Sequence, residues 1–363
     1  MIYIFLCKYY VVLQNIANPL KLNIHSRKMT NIAVLGAGVV GLSTAINIKR
    51  TLPHVCVTII ADKFGTETTS HGAGGIFKPT AKLLPGVPES IARKWTVDSW
   101  KWFSGLTLSS QAGISGNQMV AGYYFSNEEV KNPLYADYVY TFSRMTDDEL
   151  RSLNMYNNYK YGYHITTVIT YVKKYLPWLT KLYLDDGGKF EGRRVENLNE
   201  LVGKYDVVVN CTGLGSRKLC NDDKIHAVRG QLIKLRADWI KYWMYTDDGK
   251  YILPNGDLTI IGGVRQADNY SLELDEQDKQ EIQQKCYKFW PPLQGAQIDS
   301  EWVGLRPSRS PLRLEPEIMN LSTGKLKVVH NYGHGGVGIA MSWGTSLHAT
   351  ELVKDMLQSH SHL

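Results

Sequence analysis

The chain has 363 residues, 44% of them apolar and 21% charged, a globular composition long enough for a full core and two domains, which excludes fibrous and disordered classes. Its net charge of +7 is spread over Lys/Arg runs of at most two, which argues against a nucleic-acid surface. Five cysteines without C-x-x-C spacing indicate neither a disulfide framework nor a zinc site, and the chain reads as intracellular and reduced.

Met1–Leu13 is apolar but interrupted by Lys8 and shorter than the roughly 20 residues that span a membrane. Residues 1–28 are read as an extension outside the fold, which is expected to start near Met29. The organising stretch is Asn31–Lys49, NIAVLGAGVVGLSTAINIK. A short apolar strand ends at Leu35, Gly36, Gly38 and Gly41 follow at G-x-G-x-x-G spacing, and a helical pattern begins. Gly36 permits the tight turn, Gly38 a close approach to a pyrophosphate, and Gly41 close packing of helix on strand. The phosphates would sit at the helix N-terminus, where free N–H groups and the macrodipole favour anions. A second strand, Val55–Ile60, leads to Asp62 about 20 residues past the motif, where an acid suits a ribose hydroxyl.

Thr66–Thr80 is rich in hydroxyls and glycine: Thr68, Thr69 and Gly72–Gly75 bring backbone donors to a planar ligand, unless the segment is a mobile surface loop. Trp95, Trp100 and Trp102, at partly helical spacing in Pro88–Gly105, read as packing. Thr146 with Glu149 forms a capping-box signature. The spacing of Val172, Leu176, Leu179 and Leu182 predicts a helix over Ile169–Leu184, ended by Gly187-Gly188 and followed by a strand over Lys189–Val195. Asp206–Asn210 reads as a buried strand, and Cys211–Gly215 after it as a second backbone contact with the cofactor. Gly230–Leu235 and Tyr251–Val264 read as antiparallel strands of a different sheet, Leu258–Val264 being half-buried by its alternation. Trp302–Arg309 sets an arginine beside a proline, Val328–Ile339 is a strand opening into a glycine turn, and Ser342–Leu357 is a closing helix.

From Asn31 to Leu363 the sequence resembles the D-amino acid oxidase and D-aspartate oxidase family of flavoproteins. Nine motifs in family order carry the likeness: NIAVLGAGVVGLSTA, ADKF, TTSHGAGG, DVVVNCTGLGS, RGQLIKL, YILPNG, GGVRQ, GLRPSR and HNYGHGGVG. The resemblance implies an α/β fold with a discontinuous Rossmann-type FAD-binding domain (29–80, 160–222 and 303–359). A substrate domain with a mainly antiparallel sheet would occupy 81–159 and 223–302. It implies non-covalent FAD, with Gly36, Gly38, Val39, Val40 and Gly41 at the pyrophosphate and Asp62 and Lys63 at the adenosine ribose. Thr68, Thr69, Gly74 and Gly75 would line the flavin, the Val195 backbone the adenine side, and Gly335, Gly336, Gly338 and Ile339 the isoalloxazine and ribityl chain. No metal is implied.

By the same likeness Tyr251 and Arg306 would grip the substrate α-carboxylate, and the Gly336 carbonyl would accept the α-amino group. Arg306 offers a planar fork and Tyr251 a hydroxyl donor. Holding both ends of the amino acid places its Cα–H for hydride transfer to flavin N5, an orientation task. Arg265, in GGVRQ, resembles the D-aspartate oxidase pattern and would meet a side-chain carboxylate, unless it is a solvent-facing arginine at a strand end. The implied activity is oxidative deamination of D-aspartate and D-glutamate with O₂, giving 2-oxo acid, ammonia and H₂O₂. The alternatives are an oxidase of neutral D-amino acids, a glycine- or sarcosine-type amine oxidase, and a flavin-bound inactive sensor.

The sequence departs from the family pattern in three places. Gly72-Ala73-Gly74-Gly75 stands where an alanine pair is common. Lys78 replaces a Gln or apolar residue and sits either near the flavin or towards solvent. Lys241–Lys250 lacks the lid arginine or tyrosine, for which Tyr245 and Lys250 are the candidates. The chain ends Ser361-His362-Leu363, like the S-K-L signal, so a peroxisomal matrix location and an import-receptor partner are expected, with no membrane or nucleic-acid partner.

Overall fold

The computed structural model describes residues 29–358, so the extension over 1–28 and the C-terminal tripeptide lie outside the described residues. β1 (Asn31–Leu35), α1 (Val39–Thr51) and β2 (Cys56–Ala61) follow the expected strand–turn–helix–strand order. α2 (Glu89–Thr107) carries the three tryptophans, and they pack: Trp102 stacks on Trp343 with ring centroids 3.3 Å apart, and Trp95 Nε1 donates to His348 at 3.0 Å. After α3 (Ala112–Ser115), β3 (Asn117–Ser126) and β4 (Thr141–Arg144) comes α4 (Asp147–Ser152). Its capping box forms: Glu149 N donates to Thr146 Oγ1 at 3.2 Å, and Thr146 N to Glu149 Oε2 at 2.7 Å.

β5 (Tyr161–Thr170) holds two residues that the sequence assigns to the next helix, α5 (Val172–Asp185). Ile165 to Thr170 are all β-branched, which favours extended backbone, and Ile169 pairs with Gln118 of β3. The helix starts where Val172, Tyr175, Leu176 and Leu179 turn into the core. β6 (Lys189–Gly192) stops short of Val195. There follow β7 (Val207–Asn210), α6 (Ser216–Leu219), β8 (His226–Arg236), β9 (Trp243–Thr246), β10 (Tyr251–Asn255), β11 (Leu258–Gly262) and β12 (Gln266–Ala267). α7 (Glu276–Phe289), β13 (Gln297–Leu321), β14 (Gly324–His334) and α8 (Gly338–Gln358) complete the described chain.

The strands form one sheet in the order β4-β5-β3-β9-β10-β11-β8-β13-β14-β7-β1-β2-β6, with β12 attached to β8. The run β14-β7-β1-β2-β6 is parallel and Rossmann-like; the other part is mainly antiparallel. The two are not different sheets, because β13 pairs with β8 on one side and β14 on the other. β1 is buried on both faces, which its apolar run Ile32–Leu35 permits. β11 is also buried on both faces, not half-buried: Ile260 faces the core beneath α1 and α5, while Ile261 faces a second core closed by Ile282, Cys286 and Phe289 of α7. Among the described residues no helix is long and apolar enough to cross a membrane.

Candidate active site

A cavity of about 1620 Å³ runs from the β1–α1 turn to the antiparallel strands, well above the range for a drug-sized ligand. Gly36 turns the chain at φ +101°, and an added Cβ there would stand 2.7 Å from the Cys211 carbonyl oxygen. Gly38 caps α1 without a side chain, and the first turn carries no acid, so the positive end of the helix stays open to an anion. Val39 N donates to Ser70 Oγ at 3.1 Å, tying the following loop to this turn. Gly41 does not line the cavity: its Cβ would lie 1.9 Å from the Gly36 carbonyl oxygen, so it serves the close packing of helix on turn expected of the third glycine.

Every other expected cofactor residue lines this cavity. Asp62, Lys63 and Val195 lie where β2 and β6 end, with Arg194 4.0 Å from Asp62 Oδ2. The Thr66–Thr80 segment is pinned, not a free surface loop. Thr69 Oγ1 donates to the Leu305 carbonyl at 3.3 Å, Gly72 lies flat on the Trp302 indole, and Gly75, at φ +76°, lies against the Thr170 carbonyl. From the far side Gly335, Gly336, Gly338 and Ile339 enter the cavity at the β14–α8 turn.

Arg306 and Arg265 meet because both flank β8: Arg306 stands opposite Val228, and Gln266 opposite Arg229. The Arg306 guanidinium fills the hollow left by Gly230, where a Cβ would come 2.1 Å from Nη1, and Nη1 donates to the Val264 carbonyl at 3.3 Å. Arg265 Nη1 lies 3.1 Å from where a Gly336 Cβ would be. Partial burial, then the neighbouring Arg306 charge, lowers the pKa of Arg265. Among the described residues no carboxylate comes within 4.0 Å of either guanidinium. Tyr251 is buried beside them; burial pushes its hydroxyl well up, and Tyr245 stacks on its ring with centroids 5.3 Å apart. Of the two lid candidates Tyr245 lines the cavity, while Lys250 is turned back onto Asp248. Lys78 points into the cavity, not to bulk solvent, with Nζ 3.8 Å from the Tyr124 ring centroid.

The sequence reading missed Ser70, Gly230 and Tyr124. Ser70 and Gly230 sit inside quoted motifs, TTSHGAGG and RGQLIKL, which was their only signal. Tyr124 had none, since which face of β3 meets the cavity depends on its register with β9.

A glycine-turned cradle at a helix N-terminus, opening onto paired cations, fits a dinucleotide-dependent enzyme. The chain belongs to the FAD dependent oxidoreductase family, whose model matches residues 31–352. It is 39% identical to D-aspartate oxidase from Homo sapiens over 331 residues, 90% of this chain and 96% of that one. It is 34% identical to D-amino acid oxidase from Dugesia ryukyuensis, over 90% of this chain and 98% of that one. Glycine oxidase from Geobacillus kaustophilus shares the fold, with a TM-score of 0.73 at 16% identity over 90% of this chain and 95% of that one.

FAD is the cofactor, and the glycine cradle and the cavity volume fit it. Cys211 and His334 are the cysteine and histidine lining the cavity among the described residues, and neither is poised to attach a flavin. Burial pushes the Cys211 thiol up to about 12, and its Sγ points to Thr44 Oγ1 on α1. Burial lowers His334 to about 3, and its Nε2 is held by Thr345 Oγ1. Acid precipitation is therefore expected to leave all flavin in the supernatant as FAD; flavin retained on the pellet would contradict non-covalent binding.

Proposed function

We propose that this protein oxidises acidic D-amino acids, D-aspartate and D-glutamate first, to the 2-oxo acid and ammonia. The observation that carries the reading is the pair Arg306 and Arg265, side by side in the cavity with no carboxylate among the described residues to neutralise them. Two unpaired guanidiniums favour a ligand with two carboxylates over one with a single charge. D-aspartate oxidase and D-amino acid oxidase relatives support the class of substrate.

In this reading Arg306, held by Gly230 and the Val264 carbonyl, takes the α-carboxylate with both arms, and the Tyr251 hydroxyl donates to the same group. The Gly336 carbonyl accepts the α-amino group, and Arg265 meets the side-chain carboxylate. Fixing the substrate at three points orients its Cα–H and removes rotational freedom before reaction. Neutral His334 adds no competing charge. When bound, FAD accepts the hydride lost from Cα and passes the electrons to O₂ as H₂O₂. The imino acid left behind takes up water and releases ammonia.

Arg265→Met is expected to lower kcat/KM for D-aspartate at least tenfold more than for D-methionine, because one substrate alone loses a charge partner. Steady-state H₂O₂ release with both substrates measures it. Equal losses, or none, take Arg265 out of the substrate site and favour neutral D-amino acids as substrates.

A further inference from the structure

We propose that Lys78 is a specificity-determining residue, meeting the side-chain carboxylate of an acidic substrate from the aromatic wall of the cavity. This rests on the acidic-substrate reading and adds a third cation that the reading does not use. Lys78 follows the Gly72–Gly75 run, and its residual exposure is to the cavity. Its Nζ lies 3.8 Å from the ring centroid of Tyr124 on β3 and 5.1 Å from that of Tyr245 on β9. Tyr245 is the ring that stacks on Tyr251, and its hydroxyl feels the charges of Arg306 and Arg265. One aromatic ring therefore separates the ammonium from the paired arginines, and a lysine stem can swing its charge across that gap.

Among the described residues no carboxylate pairs with Lys78. Of the acids on this wall, Glu128 pairs with Lys82, Glu129 with Lys131 and Arg144, and Asp247 accepts from Ser126 Oγ and Asn127 N. Ring faces attract a cation but do not neutralise it, so a dicarboxylate is the ligand that completes this wall. Burial alone lowers the Lys78 ammonium to about 7, so its charge depends on pH across the neutral range. The tyrosines around it and His334 do not share that range. Burial raises Tyr124 to about 12, and it raises Tyr135 beside β3, Tyr245 on β9 and Tyr251 on β10 as well. Burial holds His334, on the opposite turn, at about 3. A bound carboxylate would hold the Lys78 proton, so acidic ligands should be taken up with a proton above neutrality.

The test uses the FAD-loaded enzyme, with malonate and acetate titrated by the change in flavin absorbance from pH 6 to 9. Malonate affinity is expected to weaken above pH 7 more steeply than acetate affinity, and Lys78→Met should remove the difference. In turnover, Lys78→Met should raise KM for D-aspartate at least tenfold more than KM for D-methionine, with kcat moving less than KM. Lys78→Arg should restore most of the loss, which guards against a merely misfolded variant. Parallel pH slopes for the two anions, or equal KM changes for the two substrates, overturn the proposal. If Arg265→Met still costs D-aspartate selectively, the failure is that of Lys78 alone. If the unmodified enzyme prefers D-methionine to D-aspartate, the acidic-substrate reading fails as well.

Discussion

Arg306→Leu is expected to lower kcat/KM by roughly 30- to several-thousand-fold while FAD stays bound. In the proposed binding mode the α-carboxylate would be enclosed by Tyr251, Tyr245 and the Gly336 turn, and leucine would offer it no partner. Truncating one member of such a desolvated charge pair costs about 2–5 kcal/mol. At about 1.4 kcal/mol per tenfold, that is the stated range. The position is well controlled, because among the described residues Arg306 donates to the Val264 carbonyl and pairs with no acid. Its loss should leave the melting temperature and the flavin spectrum nearly unchanged. Near-normal turnover with intact flavin would make Arg306 a filler of the Gly230 hollow.

The largest stability effect is expected behind the cavity wall, at Asp278. Its carboxylate accepts from Arg229 Nη1 at 2.5 Å, with side-chain exposures of 8% and 2%. Arg229 also donates to Gln231, Gln266 and the carbonyls of Ser271 and Glu273, so β8, β12 and the start of α7 converge on one guanidinium. Asp278→Ala leaves that charge buried and unpaired, at a cost of about 3–5 kcal/mol. Denaturant unfolding at a fixed excess of FAD reads it directly, since bound ligand shifts the midpoint. Asp278→Asn keeps an acceptor and should lose less. A loss below about 1 kcal/mol for the alanine variant would show that the backbone carbonyls alone satisfy Arg229.

What the sequence revealed is what neighbours along the chain decide. The β1–α1 turn follows from three glycines within one short stretch, and the α4 cap from Thr146 and Glu149 three residues apart. Placement across the sheet was not legible. Leu258–Val264 alternates like a strand with one wet face, yet α7, a later segment, dries the other face. Gly41, by contrast, packs against the Gly36 carbonyl as its place in the motif implied. Arg229, in RGQLIKL, proves to be a structural hub. Whether Lys78 faced cofactor or solvent depended on where β3 and β9 set their tyrosines, a register that no local pattern encodes.

β13 runs unbroken for 25 residues, bound to β8 along its first half and to β14 along its second, with Ser308 paired to both. Arg306 sits two residues before that crossover. A strand shared in this way works as a keel: the halves of the molecule cannot swing apart on a hinge without tearing the ladder on one flank. A clamshell opening would therefore cost strand pairing on one side of β13. Movement of side chains and short connections at the rim, such as exposed Leu272, breaks no pairing and leaves Arg306, the proposed α-carboxylate anchor, in its ladder beside β8.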